Sequence, residues 1–394
     1  MSRRKRRIAV ITGTRAEYGL LRSPMQAIRE RRELQLQIVV TGMHLLRKFG
    51  RTVDEIRRDG WRIDATVRMQ RGDDDPCDQA AGLARGVAGI AKFLHDAGTD
   101  VVLVLGDRIE AMAGALAGVT TGRAVAHVHG GDIAAGDFDE NLRHAITKLA
   151  HIHFAATPAA RARILQMGER PERVFCVGAP GLDRIAELRA DANPDAKRPA
   201  HALILQHACG RSPAVERRVM RSILRAVERA GLSRTIVYPN SDRGHTGIID
   251  AIQEHRRTSG NGAVRTVRSL QRDAFLGELM AAQVLVGNSS CGVIEAPVAG
   301  TPSVNVGRRQ RGRERAGPTV IEADESYRSI VEAVRRARRK RPITPNTTVY
   351  GSGHAGRVIA RLLATVPIDP ASVAKGFQSP VDTRGPNPRV VRRR

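Results

Sequence analysis

The stretch from Val101 to Lys148 constrains the fold of this chain more than any other part of the sequence. It opens with five consecutive aliphatic residues, Val101 to Leu105, and the run stops at Gly106. Such a short apolar run is typical of a strand that is buried on both faces of a parallel sheet. An alanine-rich segment predicted to be helical follows, and then a second apolar run, Ala124 to Val128. The stretch therefore predicts a strand–helix–strand unit.

Polar residues follow both predicted strands at their carboxyl ends. Asp107 and Arg108 come directly after the first strand, and His129 and Asp132 flank the two glycines after the second. Open α/β sheets bind their ligands at this edge, which favours a functional site. The structural alternatives are a helix cap for Asp107 and a simple tight turn at Gly130-Gly131, and both stay open. The density of the cluster favours function for the group more than for any single member.

A helix predicted from Asp139 adds further polar residues to this cluster. Asp139 and Arg143 are four residues apart, as are His144 and Lys148, so each pair shares a helix face. We expect Arg108, Arg143 and His144 to contact a substrate. The alternative is that this helix face is only solvated, which is the commoner role of such residues.

A second series of strands and helices begins at Ala202 and repeats the pattern of the first half. Residues 190–200 are polar, contain two prolines and lack hydrophobic periodicity, which is typical of a linker. We therefore predict an α/β protein in which two Rossmann-like domains, 1–189 and 201–365, face each other across a central cleft. Residues 366–394 are rich in Pro and Arg and are expected to form a disordered basic tail.

Loops of both halves are suited to hold an anion and a sugar. The segment from Gly287 places a small-residue loop ahead of a predicted helix, and such a loop can form an anion nest from Asn288, Ser289, Ser290 and Gly292. Helix capping is its structural alternative. The glycine-containing loop after the first strand carries Arg15, whose guanidinium matches a phosphate. Asn240 lies in a Pro-Asn-Ser-Asp segment that is suited to hydrogen-bonding hydroxyls.

The formal net charge is +25 and derives largely from arginine-rich runs, which makes nucleic acid a legitimate candidate partner. Aromatic residues make up only 3% of the chain, so it has few platforms for stacking bases. We predict no specific nucleic-acid partner and assign the surplus charge to solubility or anion steering. The four cysteines lack paired spacing, and no apolar run approaches the roughly 18 residues of a membrane span. A reduced, cytoplasmic protein without a membrane partner is expected.

Eight segments carry a more specific signal, and in order they are ITGTRAEYGLL, VTGMHL, GDRIE, HVHGGDIAAGDFDENLRHAITKLAHIHF, VGAPGLD, YPNSD, GNSSCGVIEAP and NVGRRQRGR. Over about residues 8 to 360 they resemble the hydrolysing UDP-N-acetylglucosamine 2-epimerases, whose bacterial members feed sialic or legionaminic acid synthesis. The resemblance implies a glycosyltransferase-B-like fold without a metal, a nicotinamide or another cofactor. It also implies that the chain converts UDP-N-acetylglucosamine, or a related UDP-diacetamido sugar, to UDP and a free 2-epimeric sugar. A homo-oligomer, dimer or tetramer, is expected.

The resemblance also implies roles for individual residues. Arg15, Ser289, Ser290 and Glu295 match nucleotide-diphosphate and ribose contacts, with Arg313 as a helper. Asp107 and Asp139 match the acidic catalytic residues, and His207 matches the active-site histidine of the second domain. Asp132 stands where the family commonly has Glu, and His129 stands about where non-hydrolysing relatives carry Glu. We include both in the catalytic set.

Two other functions stay open on the sequence alone. A non-hydrolysing epimerase would return the UDP-sugar, and a glycosyltransferase of similar fold would release UDP only when an acceptor is present. A polyanion-binding protein that has lost catalysis is a third class, and it predicts no thermal stabilisation by UDP.

Overall fold

A computed structural model of the chain describes residues 4–71, 76–133, 139–190, 199–240, 242–259, 263–340, 348–369 and 373–376. In the first half, strands and helices alternate in the order β1 (Arg6–Thr12), α1 (Arg15–Glu30), β2 (Leu34–Thr41), α2 (Val53–Arg58), β3 (Ala65–Val67), α3 (Pro76–Asp96), β4 (Val101–Leu105), α4 (Ile109–Thr120), β5 (Ala124–Val128), α5 (Asp139–Leu149), β6 (Ile152–Ala155), α6 (Pro158–Gln166), β7 (Val174–Cys176) and α7 (Gly181–Ala190). Three short 3₁₀ helices, Gly42–Leu45, Arg47–Phe49 and Pro171–Arg173, lie between these elements in the described part.

The second half continues the alternation with β8 (His201–Leu205), α8 (Pro213–Arg229), β9 (Ser233–Val237), α9 (His245–Thr258), β10 (Val264–Val267), α10 (Arg272–Ala281), β11 (Val284–Gly287), α11 (Cys291–Val298), β12 (Ser303–Val306), β13 (Val320–Ala323), α12 (Tyr327–Arg338) and α13 (Ala355–Thr365). Most of the predicted strands lie within one or two residues of these bounds. The linker predicted at 190–200 falls mainly on 191–198, outside the described residues.

The strands form two sheets whose described pairs are all parallel. The first has the order β3-β2-β1-β4-β5-β6-β7, and the second has the order β10-β9-β8-β11-β12-β13. In both sheets the order reverses between neighbouring strands, β1 and β4 in the first and β8 and β11 in the second. A crevice opens at the carboxyl ends of the strands at such a reversal, so the topology provides two ligand sites that can face each other.

The loop after β1 depends on a glycine. A Cβ atom added at Gly13 would overlap the side chain of Glu110, which is fully buried at the start of α4. Only a residue without a side chain allows the β1–α1 loop to lie this close to α4. The close approach places the N-terminus of α1 beside the loop that follows β4.

The C-terminal helix differs from the sequence prediction. Residues up to 365 were predicted to belong to the second domain, but α13 packs on α1 of the first, where Ile359, Ala360, Leu363 and Val366 join its core. The reason is the apolar face of α13, which fills the side of α1 that the first sheet leaves uncovered.

The predicted disordered tail differs in part as well. Lys375 donates hydrogen bonds to the carbonyl oxygens of Lys148 and Ala150, both at 2.6 Å, and so binds the C-terminal end of α5. A cation is favoured there because the helix dipole is negative at that end. Residues 370–372 and 377–394 lie outside the described part of the chain. In the described part, no helix is long and apolar enough to cross a membrane.

Candidate active site

A cleft between the two sheets collects most of the predicted site residues. Its inner cavity has a volume of about 160 Å³ and is lined from the first domain by Asp107, Arg108, His129, Asp139 and Arg143. From the second domain come His207, Asn240, Ser289, Ser290, Glu295, Arg309 and Arg313. A larger cavity of about 340 Å³ adjoins it and is lined by residues that include Arg15, Tyr238, Arg268 and Phe275. The two topological switch points thus do face each other.

Asp107 is held by a buried arginine rather than acting as a helix cap. Its Oδ2 forms an ion pair with Nη2 of Arg143, whose side chain is 1% exposed. A second guanidinium nitrogen of Arg143 donates to the carbonyl oxygen of Asp132 at 3.2 Å. The carboxylate of Asp107 is therefore fixed in direction while 23% of its side chain stays accessible from the cleft.

His129 lines the cleft and is hydrogen-bonded to Asp132, which lies behind it. Nδ1 of His129 lies 3.0 Å from Oδ2 of Asp132, and the backbone of His129 is left-handed, with φ of +64°. Burial by itself raises the pKa of Asp132, but the hydrogen bond from His129 and the charge of Arg313 outweigh it and lower that pKa. An ionised Asp132 accepts a hydrogen bond from Nδ1–H of His129, which leaves Nε2 of His129 for a ligand.

His207 is a neutral histidine on the opposite wall. Burial, and next the charge of Arg309, lower its pKa to about 3. Its Nδ1 accepts a hydrogen bond from the backbone N–H of Asn240 at 3.3 Å, which places the ring proton on Nε2. The side-chain amide of Asn288 holds the His207 backbone in place. Its Oδ1 accepts a hydrogen bond from the backbone N–H of His207, and its Nδ2 donates one to the carbonyl oxygen of His207, both at 2.8 Å. His207 thus offers a hydrogen-bond donor rather than a cation.

The start of α11 is the place at which the sequence predicts an anion nest. Ser289 and Ser290 line both cavities, and the Ser290 side chain makes no capping hydrogen bond. Glu295, on the same helix, forms a buried ion pair with Arg272. In the larger cavity Arg15 forms an ion pair with Glu55 at 2.8 Å, and burial lowers the pKa of Arg15. Two serine hydroxyls, helix N–H groups and arginines together fit a diphosphate.

Ion pairs join the two domains across the cleft. Nη1 of Arg108 lies 3.1 Å from Oδ1 of Asp242, and Nη2 of Arg309 lies 3.9 Å from Oδ2 of Asp139. Burial by itself raises the pKa of Asp242, but the charges of Arg108 and Arg309 outweigh burial, so the pKa of Asp242 is lowered. These contacts hold the carboxylates of one domain against the arginines of the other.

Four predicted residues line neither cavity, and one of them is Asp132, which lies behind His129. The side chain of His144 points away from the cleft, because one residue along a helix turns the side chain by about 100° from the face of Arg143. Its Nε2 lies 3.5 Å from Oε1 of Glu140. Asn288 and Gly292 lie behind the wall and act through the backbone that they support. Sequence reasoning missed Glu17, Asp242, Arg272 and Arg309 as individual site residues, although the last lies in the arginine-rich segment that it noted.

No cluster of three or more His, Cys, Asp or Glu residues in the described ranges is arranged to hold a metal ion. The polar groups of the cleft are instead engaged with one another or directed at a ligand-sized cavity. Their arrangement suits proton transfer beside an anion, since carboxylates and a histidine stand opposite arginines.

Comparison with known proteins identifies the family. The profile of the UDP-N-acetylglucosamine 2-epimerase family matches residues 26–364. A Legionella pneumophila protein named "UDP-N,N'-diacetylbacillosamine 2-epimerase (hydrolyzing)" is 35% identical over 373 residues, which are 92% of this chain and 97% of that protein. A Neisseria meningitidis protein named "UDP-N-acetylglucosamine 2-epimerase" is 31% identical over 84% of this chain and 87% of its own length.

A crystal structure supports the fold. The UDP-GlcNAc 2-epimerase of Neisseria meningitidis, solved with UDP-GlcNAc bound, superposes with a TM-score of 0.74 at 17% identity and covers 91% of this chain and 99% of that one. The two facing sheets are therefore a glycosyltransferase-B-like pair. From the match over most of its length and the identity to these relatives, the chain belongs to the UDP-N-acetylglucosamine 2-epimerase family.

Proposed function

We propose that this protein is a hydrolysing UDP-sugar 2-epimerase, which acts on UDP-N-acetylglucosamine or UDP-N,N'-diacetylbacillosamine and releases UDP and a free 2-epimeric amino sugar such as N-acetylmannosamine. One observation carries the proposal: the carboxylates of the first sheet and the anion nest of the second line the same cavity. The name of the Legionella relative supports the hydrolysing outcome and the diacetamido substrate.

The nucleotide is assigned to the side of the second domain. Its diphosphate would bind at Ser289 and Ser290, where the N-terminus of α11 and the charges of Arg309 and Arg313 favour an anion. The nucleoside would occupy the larger cavity, which has an apolar wall that includes Phe275. The sugar would then lie in the inner cavity, between the two domains.

The chemistry follows from this placement. The proton on sugar carbon 2 is not next to a carbonyl, so its removal requires that the bond from the anomeric carbon to UDP weakens at the same time. Arginines around the diphosphate stabilise the departing negative charge. Asp107, Asp139 or the His129–Asp132 pair takes the proton from carbon 2. Water then adds to the unsaturated sugar, and a proton returns to the opposite face of carbon 2.

The apolar side chains of the inner cavity indicate which of the two sugars is preferred. Leu20, Ala179 and Ile294 line the inner cavity beside the polar groups. Such side chains suit the methyl groups of a second acetamido group or of a deoxy carbon better than they suit hydroxyls. This favours the diacetamido sugar as the better substrate of the two.

Incubation with each UDP-sugar in heavy water, followed by proton NMR, tests the proposal. We expect UDP and a free 2-epimeric sugar that carries deuterium at carbon 2. Return of an intact epimeric UDP-sugar would identify a non-hydrolysing enzyme. UDP release that requires an added acceptor would identify a transferase, and a lack of both turnover and UDP binding would refute the proposal.

A further inference from the structure

Glu17 is a buried acid at the cleft to which none of the above steps assigns a role. It lies in the first turn of α1, lines the inner cavity and is only 6% exposed. Its Oε2 accepts a hydrogen bond from the backbone N–H of Gly13 at 3.0 Å. Its Oε1 is buried and has no hydrogen-bond partner. One oxygen thus anchors the group and the other remains for a ligand.

The surroundings of Glu17 favour its uncharged form. Nearby Glu110 takes the available donors, with Nε2 of Gln70 at 2.7 Å and Nε of Arg108 at 3.3 Å. Burial raises the pKa of Glu17 to about 8, and the negative charge of Glu110 adds to the increase, while the Gly13 hydrogen bond and Arg108 oppose it. The cavity also carries the titratable or charged side chains of Asp107, His129, Asp139, Arg143, His207, Glu295, Arg309 and Arg313.

We propose that Glu17 is a substrate-binding residue that acts as a neutral carboxylic acid and donates its O–H to an uncharged oxygen of the sugar, an acetamido carbonyl or a hydroxyl. The inference rests on the proposed function for the identity of the ligand. A neutral donor suits the acetamido carbonyl in particular, because a carbonyl oxygen only accepts hydrogen bonds and an ionised carboxylate has no proton to donate to it. A purely structural cap would need only the oxygen that binds Gly13.

Two substitutions distinguish a hydrogen-bond donor role of Glu17 from a role as general base. Glu17→Gln keeps a neutral donor of the same shape, so we expect KM for the UDP-sugar to stay within about threefold of the wild type at pH 7, whereas Glu17→Ala raises it about tenfold. UDP affinity should be unchanged in both, because UDP lacks the sugar. Loss of turnover in Glu17→Gln as severe as in Glu17→Ala would overturn the proposal, since it would indicate an ionised, reacting carboxylate.

The dependence on pH gives a second readout. The donor is present below pH 8 and is lost as the pH rises through that value, so the wild-type KM should increase above pH 8. The KM of Glu17→Gln should not show this increase. A wild-type KM that stays flat to pH 10, or one that rises equally in Glu17→Gln, contradicts the donor role.

Infrared difference spectroscopy tests the protonation without any turnover. At pH 7 the wild type should show the carbonyl stretch of a protonated carboxylic acid, and Glu17→Gln should lose that band. Glu216→Gln is the matched control, because Glu216 is also buried but is ion-paired with Arg211 in the second domain, and this control should keep the band. Absence of the band from the wild type would refute a neutral Glu17 even if the proposed reaction were confirmed. A band that depends on Glu17 in a protein without epimerase activity would refute only the assigned reaction.

Discussion

Replacement of Asp107 by Asn should affect both catalysis and stability, because the carboxylate has two roles. It faces the cleft, and it is the negative partner of Arg143, whose side chain is 1% exposed. Arg309 and Arg313 line the same cavity, so the substitution leaves a buried positive charge among other positive charges. The amide of Asn keeps an oxygen acceptor but not the charge.

The magnitude follows from the burial of the pair. Breaking a fully buried ion pair costs about 3–5 kcal/mol, and the 23% exposure of Asp107 lets water offset part of it, so we expect a loss of about 2–3 kcal/mol. For a domain of this size that corresponds to a decrease in Tm of roughly 4–12 °C. Loss of acid–base help should lower turnover by about two to four orders of magnitude, which is about 2.7–5.4 kcal/mol in the barrier.

The assay is UDP release, measured well below the lowered Tm, together with thermal unfolding. A saturating concentration of UDP, about 100 times its Kd, should restore about 2.7 kcal/mol of stability but no turnover. Asp96→Asn is the control, because its pair with Lys92, at 2.8 Å, is exposed and screened by solvent, so the Tm should stay close to that of the wild type. A second variant that adds Arg143→Met to Asp107→Asn should regain stability while it stays inactive. Near wild-type product formation by Asp107→Asn would refute the catalytic assignment, and an unchanged Tm would refute the ion-pair argument.

Three further predictions concern the scaffold. Gly13→Ala should lower both the stability and the affinity for the UDP-sugar, because the added Cβ overlaps the Glu110 side chain. Thermal unfolding measures the stability and calorimetry measures the affinity, and unchanged values of both would contradict the close approach of the loop to α4. A chain that ends at residue 354 should lose about 5–9 kcal/mol from the first domain, because the apolar side chains of α13 leave its core, and soluble expression of this truncation would argue against that packing. Burial raises the pKa of Glu169, but hydrogen bonds from His153, Lys148 and Lys375 outweigh it and lower the pKa to about 2. Its stabilisation is therefore present above pH 4.5 and is lost as the pH falls towards 2, and acid unfolding of Glu169→Gln should be less dependent on pH across this range than that of the wild type.

The sequence predicts the strands of the first sheet well where burial is complete. The apolar run from Val101 to Leu105 is followed by a glycine, and both strand ends agree with the structure. In contrast, β13 and α13 are missing from the prediction. A four-residue strand with one exposed Glu has little periodicity, and the contact of α13 with α1 joins positions more than 300 residues apart, which no local pattern encodes.

The candidate site shows the same limit. Asp107 and Ser289 follow buried strands, so their place at the sheet edge could be predicted from the runs before them. Glu17 was missed because an acid in the first turn of a helix is ordinarily a favourable partner of the helix dipole. Its burial depends on contacts between α1, α4 and the loop at Gly13, which no local pattern encodes. His144 was expected in the cleft because spacing defines a shared face but not which face turns inward.

The location of α13 changes how the chain is divided. The elements β1 to α7 and the helix α13 both build the first domain, so the second domain is inserted between two parts of the same unit. Within the second domain, the backbone N–H of Gln283 donates to the carbonyl oxygen of His201 at 2.9 Å, and the Gln283 side chain accepts from Nε of Arg338 at 3.0 Å. His201 lies near the start of the inserted domain and Arg338 near its end, so the two ends lie at one edge. An inserted domain whose two ends lie side by side can be replaced without a change in the fold of the domain that carries it. Chimaeras that swap this insert between relatives would therefore transfer nucleotide preference separately from the proton-transfer groups.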